Sequence, residues 1–388
     1  MISHPSPKAA PIPKFDPQFE PQFDPQRDAQ ALASFLDNEV TPAAHDLDTD
    51  PAALFEMFRE ASDLGLLTPK SPAAFGGGGL SAQAYRQLQC EIAQRSGALA
   101  FLLTQHQSAA SFLLSGENET LKKDYLPKMA SGETRVGVGF SHLRRVTPPL
   151  IASPVPGGYR LSGEVPWVTG DGVFEAFVGA AVIMADGKPN HGASIFGLLP
   201  LGNDPEQRQQ ARRHGGALVV DQPMALSGMA ATNTVRVRLA DWFLADDWVI
   251  GTRPAGWLAQ RDRANPLSPL GLIQGCTEAA QAVTSESLRR RQITHNIEPQ
   301  LAAQTLELFA QTPKMVALPV EAYEQKVAFR GQAIALMNTC AQAAVIASSG
   351  AANALNHPAR RVQGEALVFS VSGQSTDGAI ASLNSLMK

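Results

Sequence analysis

Residues 134–251 break into short β-rich runs separated by Gly and Pro, while the stretches on either side carry long helical periodicities. The runs at 135–140, 159–161, 174–184 and 234–239 are bounded by turn residues. In the last of these Val235, Val237 and Leu239 alternate with Arg236 and Arg238, the pattern of a half-buried strand. Helices, then strands, then helices restrict the chain to an α+β, multidomain arrangement in which a β-barrel or sandwich is held between two helical parts. At 388 residues and 41.2 kDa, two or three packed units are expected. The boundaries read as a tail at 1–27, a helical N-terminal domain at 28–133, a central β domain at 134–251 and a C-terminal helical bundle at 252–388.

The tail holds seven prolines and a tandem repeat, Phe15-Asp16-Pro17-Gln18, Phe19-Glu20-Pro21-Gln22 and Phe23-Asp24-Pro25-Gln26. Each proline restricts itself and its predecessor, so an extended, mostly disordered leader is expected, with docking of its phenylalanines as the alternative. Asp50-Pro51 supplies an N-cap and a first-turn proline, and Leu54, Phe55, Phe58, Ala61 and Leu64 follow at helical spacing up to Gly65. Ser81 caps a second helix with Tyr85, Leu88 and Ile92 on its apolar face, and a third runs through residues 98–116. Charged residues 204–213 interrupt the β region and read as a solvated loop or short helix. Segments 270–294 and 315–355 are long enough for antiparallel helices of a four-helix bundle.

A net charge of −4 without an extended basic cluster argues against nucleic acid as a partner. Cys90, Cys276 and Cys340 are far apart in apolar helical stretches, as reduced core thiols of a cytoplasmic protein would be. The eight histidines lack metal-ligand spacing, so no metal is expected. The N-terminus lacks the pattern of an export signal, and no run approaches the roughly 18 apolar residues of a spanning helix, so no membrane partner is expected.

Several segments, in order, resemble the acyl-CoA dehydrogenase family: Pro72-Ala73-Ala74-Phe75-Gly76-Gly77-Gly78-Gly79-Leu80-Ser81, Glu91-Ile92-Ala93, residues 125–133, Trp167-Val168-Thr169-Gly170 and Leu226-Ser227-Gly228-Met229-Ala230-Ala231-Thr232. The resemblance implies that family's fold and FAD, bound between the β domain and the C-terminal bundle. Carried over by position, Trp167 would pack on the isoalloxazine and Thr169 would hydrogen-bond it, while Phe140 and Ser141 would meet its pyrimidine edge. Hydrogen bonds of this kind stabilise the reduced ring. Arg291 is the candidate for the FAD pyrophosphate, often supplied across subunits in the family, because a guanidinium matches phosphate geometry. A homo-oligomer, dimer or tetramer, and an acyl-CoA substrate are implied in the same way.

Three departures separate the chain from the family pattern. Where the family reads Thr-Glu and then Gly-Ser-Asp, this chain has Ser141-His142-Leu143-Arg144-Arg145. The family's Glu-Gly-Thr near the C-terminus is replaced within residues 371–380, and the alternative glutamate position, near Arg261-Asp262-Arg263, holds none. A positioned base contributes roughly 10²- to 10⁴-fold. Asp377, Asp262 and Glu365 are the nearest carboxylates, each read more simply as a surface or helix-end group. Three functions remain open: an FAD oxidoreductase acting on an acyl thioester, a flavin-dependent monooxygenase of the same fold using reduced flavin, and a non-catalytic binding or assembly subunit. His106 bears on the second, although a packed or capping histidine is its simpler reading.

Overall fold

The computed structural model describes residues 23–185, 188–202 and 215–387. The tail up to residue 22 and the charged segment 204–213 lie outside the described residues. Phe23 is 1% exposed and enters the same core as Phe58 and Leu66. Its carbonyl oxygen would stand 2.9 Å from a Cβ on Gly78, so the packed body begins inside the phenylalanine repeat, before residue 28.

Among the described residues, six helices come first. Ala29–Phe35 (α1) passes through a π turn at Leu36–Val40 into Thr41–Thr49 (α2), followed by Pro51–Asp63 (α3), Ala82–Arg95 (α4), Gly97–Leu114 (α5) and Glu119–Ala130 (α6). Asp50, Ser81 and Ser96 each accept a hydrogen bond from a first-turn amide, and such caps contribute about 1 kcal/mol apiece. The α5 sequence is apolar nearly all round, which makes it the central helix of this part, packed against α3, α4 and the sheet.

Among the described residues eight strands form one sheet: Val136–Gly139 (β1), Leu150–Val155 (β2), Gly158–Val168 (β3), Ala176–Ala185 (β4), Lys188–Pro200 (β5), Ala217–Val220 (β6), Val235–Ala245 (β7) and Val249–Arg253 (β8). Their order is β6-β7-β3-β2-β4-β5-β8, and β1 adds to β4 in parallel. Two register shifts interrupt the β3–β7 ladder, the second between Val165↔Val237 and Val168↔Val235. Three steps along β3 there match two along β7, so one residue is extra. Pro166, which has no N–H to give the ladder, sits in that bulge.

Seven helices complete the chain: Trp257–Ala264 (α7), Leu270–Arg290 (α8), Ile297–Phe309 (α9), Thr312–Ala317 (α10), Tyr323–Ser348 (α11), Pro358–Val371 (α12) and Thr376–Ser385 (α13). Gly271 and Gly275, one turn apart on α8, leave room for α4. A Cβ on either would stand 2.5 Å from the Arg86 oxygen or 2.4 Å from the Cys90 oxygen. The segment containing α11 is long and apolar enough to cross a bilayer, contrary to the sequence expectation, yet α11 packs on α8, α12 and α13 as a core helix. All three cysteines are free and buried.

Two buried joints tie these parts together. His106 of α5 is fully buried, with Nε2 3.0 Å from the Met129 oxygen, and its Nδ1 accepts from the Val136 amide at 3.1 Å. It thereby links α5 to the end of α6 and the start of β1, and burial holds its pKa down at about 4. At the second joint Asp48 of α2 accepts from the Met229 amide at 2.8 Å, and Glu365 of α12 accepts from the Gly97 amide of α5 at 2.9 Å. Arg361 donates to Glu365 at 2.6 Å. Beside them the Gly228 and Gly364 backbones touch: a Cβ on Gly228 would stand 2.4 Å from the Gly364 oxygen. Burial raises the pKa of both carboxyl groups, opposed at Glu365 chiefly by the Arg361 charge and at Asp48 chiefly by the Met229 amide.

Candidate functional site

The ends of β1 and β3 lie side by side, since a Cβ on Gly139 would stand 2.9 Å from Val168 Cγ2. Phe140, Ser141, Trp167 and Thr169 therefore gather at one end of the sheet. Trp167 is 50% exposed, turned outward by the bulge at Pro166, and is no core tryptophan. Thr169 Oγ1 sits 3.1 Å from Thr234 Oγ1 of the neighbouring segment, and the Gly170 amide donates to the Thr232 oxygen at 2.8 Å. Phe140 is buried, its ring 4.6 Å from that of Phe112 and 5.8 Å from that of Phe196. Ser141 is exposed and opens a single 3₁₀ turn, Ser141–Arg144. Its neighbour His142 is buried, with Nε2 2.9 Å from the Ala180 oxygen and no partner for Nδ1. Burial holds the His142 pKa down at about 4.

Arg291 does not join this group. It follows the last residue of α8, a helix of 21 residues and hence about 30 Å long, and donates to the Ala347 oxygen at 2.9 Å, beside the end of α11.

A second feature runs along α5. Phe101, Thr104, Gln105 and Ser108, at helical spacing, remain partly accessible on a helix whose other faces are covered. This stripe is the accessible face of α5. Phe101 meets Phe369 of α12 at 6.5 Å, and the Tyr85 hydroxyl of α4 bonds Thr104. Burial raises the Tyr85 pKa to about 12, so its hydroxyl stays protonated.

The carboxylates nearest the family's base positions are all engaged or remote. Asp262 on α7 receives both arms of Arg144, at 2.8 Å each. Asp377 is exposed in the first turn of α13 and bonds the Tyr323 hydroxyl. Glu365 is 0% exposed, which corrects its reading as a surface or helix-end group. The loop between α12 and α13, where the family's Glu-Gly-Thr belongs, is instead held by its carbonyls: Arg330 of α11 donates to the Ser372 oxygen at 2.8 Å, the Gly373 oxygen at 3.2 Å and the Pro266 oxygen at 3.4 Å. Arg330 is 4% exposed, and burial lowers its pKa to about 10.

Sequence reasoning missed Lys70, Arg86, Arg330 and the orientation of Arg261. The Arg261 guanidinium lies over the rings of Phe112 at 4.6 Å, Trp257 at 5.7 Å and Phe140 at 5.8 Å. Phe140 carries a signal through the family resemblance, whereas Phe112 and Trp257 give none locally, because only the fold brings the three rings together.

Helices, a bulged eight-stranded sheet and a further set of helices superpose on solved acyl-CoA dehydrogenases over nearly the whole chain. Residues 26–133 match the family model "Acyl-CoA dehydrogenase, N-terminal domain". The mitochondrial isovaleryl-CoA dehydrogenase of Pongo abelii is 29% identical over 145 residues, 36% of this chain and 34% of that protein. The alignment thus spans about a third of the length of that relative. Among solved structures, butyryl-CoA dehydrogenase from Megasphaera elsdenii superposes with a TM-score of 0.73 at 16% identity, covering 94% of this chain and 98% of that one. A glutaryl-coenzyme A dehydrogenase in complex with glutaryl-CoA gives 0.72 at 17% identity, covering 93% and 94%. Residues 26–133 thus match the family's N-terminal domain, and the chain as a whole has the acyl-CoA dehydrogenase fold.

Proposed function

We propose that this protein is an FAD-dependent oxidoreductase acting on an acyl thioester. The observation that carries the reading is Trp167: a large aromatic ring, half exposed at a strand end, beside exposed Ser141 and the Thr169 hydroxyl. A flat aromatic cofactor fits there. The ring would lie on Trp167, with Thr169 and the Phe140–Ser141 backbone at its polar edge. FAD, when bound, supplies a hydride acceptor. The chain's own residues leave one stripe of α5 accessible, pack the Phe112, Phe140, Phe196 and Trp257 rings together, and hold the Arg261 guanidinium over three of them.

Removal of the substrate's α-proton falls to a base other than Asp262, Asp377 or Glu365, given how each of these is engaged or placed. The monooxygenase reading loses the support of His106, both of whose ring nitrogens are satisfied by backbone groups. A homo-oligomer is part of the proposal, supported by exposed Leu367, Val371, Ile380 and Leu383 on the last two helices. In it Arg291 would serve the flavin of a neighbouring copy. The reading also places the protein in a reducing, cytoplasmic setting, as three buried free thiols suit.

The test is the visible spectrum of purified protein mixed with FAD, followed by anaerobic addition of acyl-CoAs. Flavin uptake followed by bleaching with an acyl-CoA is expected. Bound flavin that no thioester reduces would instead favour the monooxygenase, and failure to bind FAD would leave a non-catalytic subunit.

A further inference from the structure

Five cationic side chains lie in the region beside the accessible stripe of α5, and one carboxylate accompanies them. Lys70 comes from the segment between α3 and α4, which is fixed to α5 by the bond from the Lys70 amide to Gln107 Oε1 at 2.8 Å. Its ammonium lies 5.3 Å over the Tyr85 ring, and Tyr85 in turn bonds the stripe residue Thr104. Arg86 is the next residue on α4. Arg261 approaches from α7 across the rings of Phe112 and Phe140. The Lys70 ammonium feels the charges of both Arg261 and Arg86, while Arg144 and Arg330 continue the cluster toward the loop after α12.

Asp262 is the carboxylate within this group, and Arg144 occupies both its oxygens. Among the described residues, the charged heads of Lys70, Arg86 and Arg261 make no ion pair or hydrogen bond. Arg261 is further constrained, because its planar face is taken by aromatic rings and only its edge donors remain to be satisfied. Desolvation lowers the pKa of all three, with the Arg261 and Arg86 charges adding to the effect at Lys70. Like charges held together and partly desolvated destabilise the free protein, and an anion entering among them relieves that cost. Cations distributed around a recess also raise the local concentration of an anionic ligand and speed its capture.

Resting on the proposed function, we propose that Lys70, Arg86 and Arg261 form an oxyanion-binding site beside the accessible stripe of α5, which holds a negatively charged group carried by the thioester substrate. The recognising chemistry is an ammonium and two guanidinium groups against a carboxylate or phosphate. Two parts of a substrate offer it: a carboxylate at the far end of the acyl chain, and the phosphates of the coenzyme A moiety.

Four probes separate these sources: glutaryl-CoA, the uncharged pentanoyl-CoA of equal chain length, and the two corresponding pantetheine thioesters, which lack the nucleotide phosphates. Their dissociation constants are measured by calorimetry on the full-length protein loaded with FAD, for wild type, Lys70→Ala and Arg86→Ala. Lys70 is exposed, so its replacement leaves packing intact, and Arg86→Lys serves as a conservative control that keeps the charge. Loss of a charge-assisted hydrogen bond is expected to weaken binding roughly 10- to 100-fold.

If the site takes an acyl carboxylate, both glutaryl thioesters weaken by that factor and pentanoyl-pantetheine does not. If it takes a phosphate, both CoA thioesters weaken and both pantetheine thioesters do not. Unchanged affinities for all four probes in both alanine variants overturn the oxyanion site and leave the proposed function standing. Failure of wild type to bind any thioester overturns the function and the site with it.

Discussion

Replacing His106 by Gln should change the acid stability of this protein in a way that can be worked from the structure. The wild-type ring is neutral and fully enclosed, with its pKa moved from 6.5 to about 4. Burial is the main cause, opposed by the Met129 and Val136 carbonyl oxygens, which favour a protonated ring, and assisted by the Arg135 charge. Between these two pH values the unfolded chain binds a proton at this site and the folded chain does not. Stability therefore rises with pH across the window: the contribution is complete above about pH 6.5 and is lost as the pH falls toward 4. Its size follows from the separation of the two values, about 3 kcal/mol. The raised Asp48 and Glu365 act in the opposite sense, and His142 in the same sense, but all three are common to both proteins and cancel in the difference. At pH 7 the variant should be less stable by about 2–4 kcal/mol, since it loses packing and leaves buried backbone groups poorly paired. Urea unfolding of the two proteins from pH 7 to pH 4 should show that gap closing by about 3 kcal/mol. A gap that stays constant across this range would show that His106 titrates in the fold as it does in the unfolded chain, and would refute the argument.

Three further outcomes follow from the geometry. Gly163→Ala should destabilise by roughly 3 kcal/mol or more in the same unfolding assay, because a Cβ there would lie 1.9 Å from the Pro149 oxygen at φ +129°. Trp167→Ala should leave urea stability within roughly 1 kcal/mol, its ring being half exposed, while abolishing or strongly weakening FAD uptake measured by visible absorbance; a large stability loss would return the ring to the core. Arg330→Gln removes donors to three chain carbonyls, so limited proteolysis should cut within residues 372–375 at least several-fold faster than in wild type, and an unchanged rate would mean the loop is held elsewhere.

Local signals were read correctly where local physics decides. Asp50-Pro51 and Ser81 cap the helices their positions announce, and the order of helical and β-rich texture matches the order of elements. Three kinds of information stayed out of reach. The outward turn of Trp167 depends on a bulge defined by the pairing of β3 with β7, and Pro166 alone does not specify its partner's register. Phe23 sits in a proline-rich run whose composition reads as disorder, and only the core that receives it shows otherwise. The cations at 70, 86, 144, 261 and 330 come from five separate segments, so no window of sequence reveals their convergence. Glu365 was misjudged for a related reason: its partners, Gly97 and Arg361, make burial tolerable, and one of them lies 268 positions away.

At the joint where Gly228 meets Gly364, main chain touches main chain, with Asp48 and Glu365 anchored on either side. Contacts of that kind leave no side chain to adjust when one partner changes. The first helices, the sheet and the last helices of this protein are therefore poor candidates for exchange with those of its relatives. A hybrid carrying a foreign segment 358–371 would meet a foreign loop 226–229 with little beyond the Arg360 side chain, which donates to the Ser227 oxygen at 2.8 Å, to absorb a mismatch. Changes on one side of this contact have to be matched on the other, and the two segments, more than a hundred positions apart, are bound to vary as a pair.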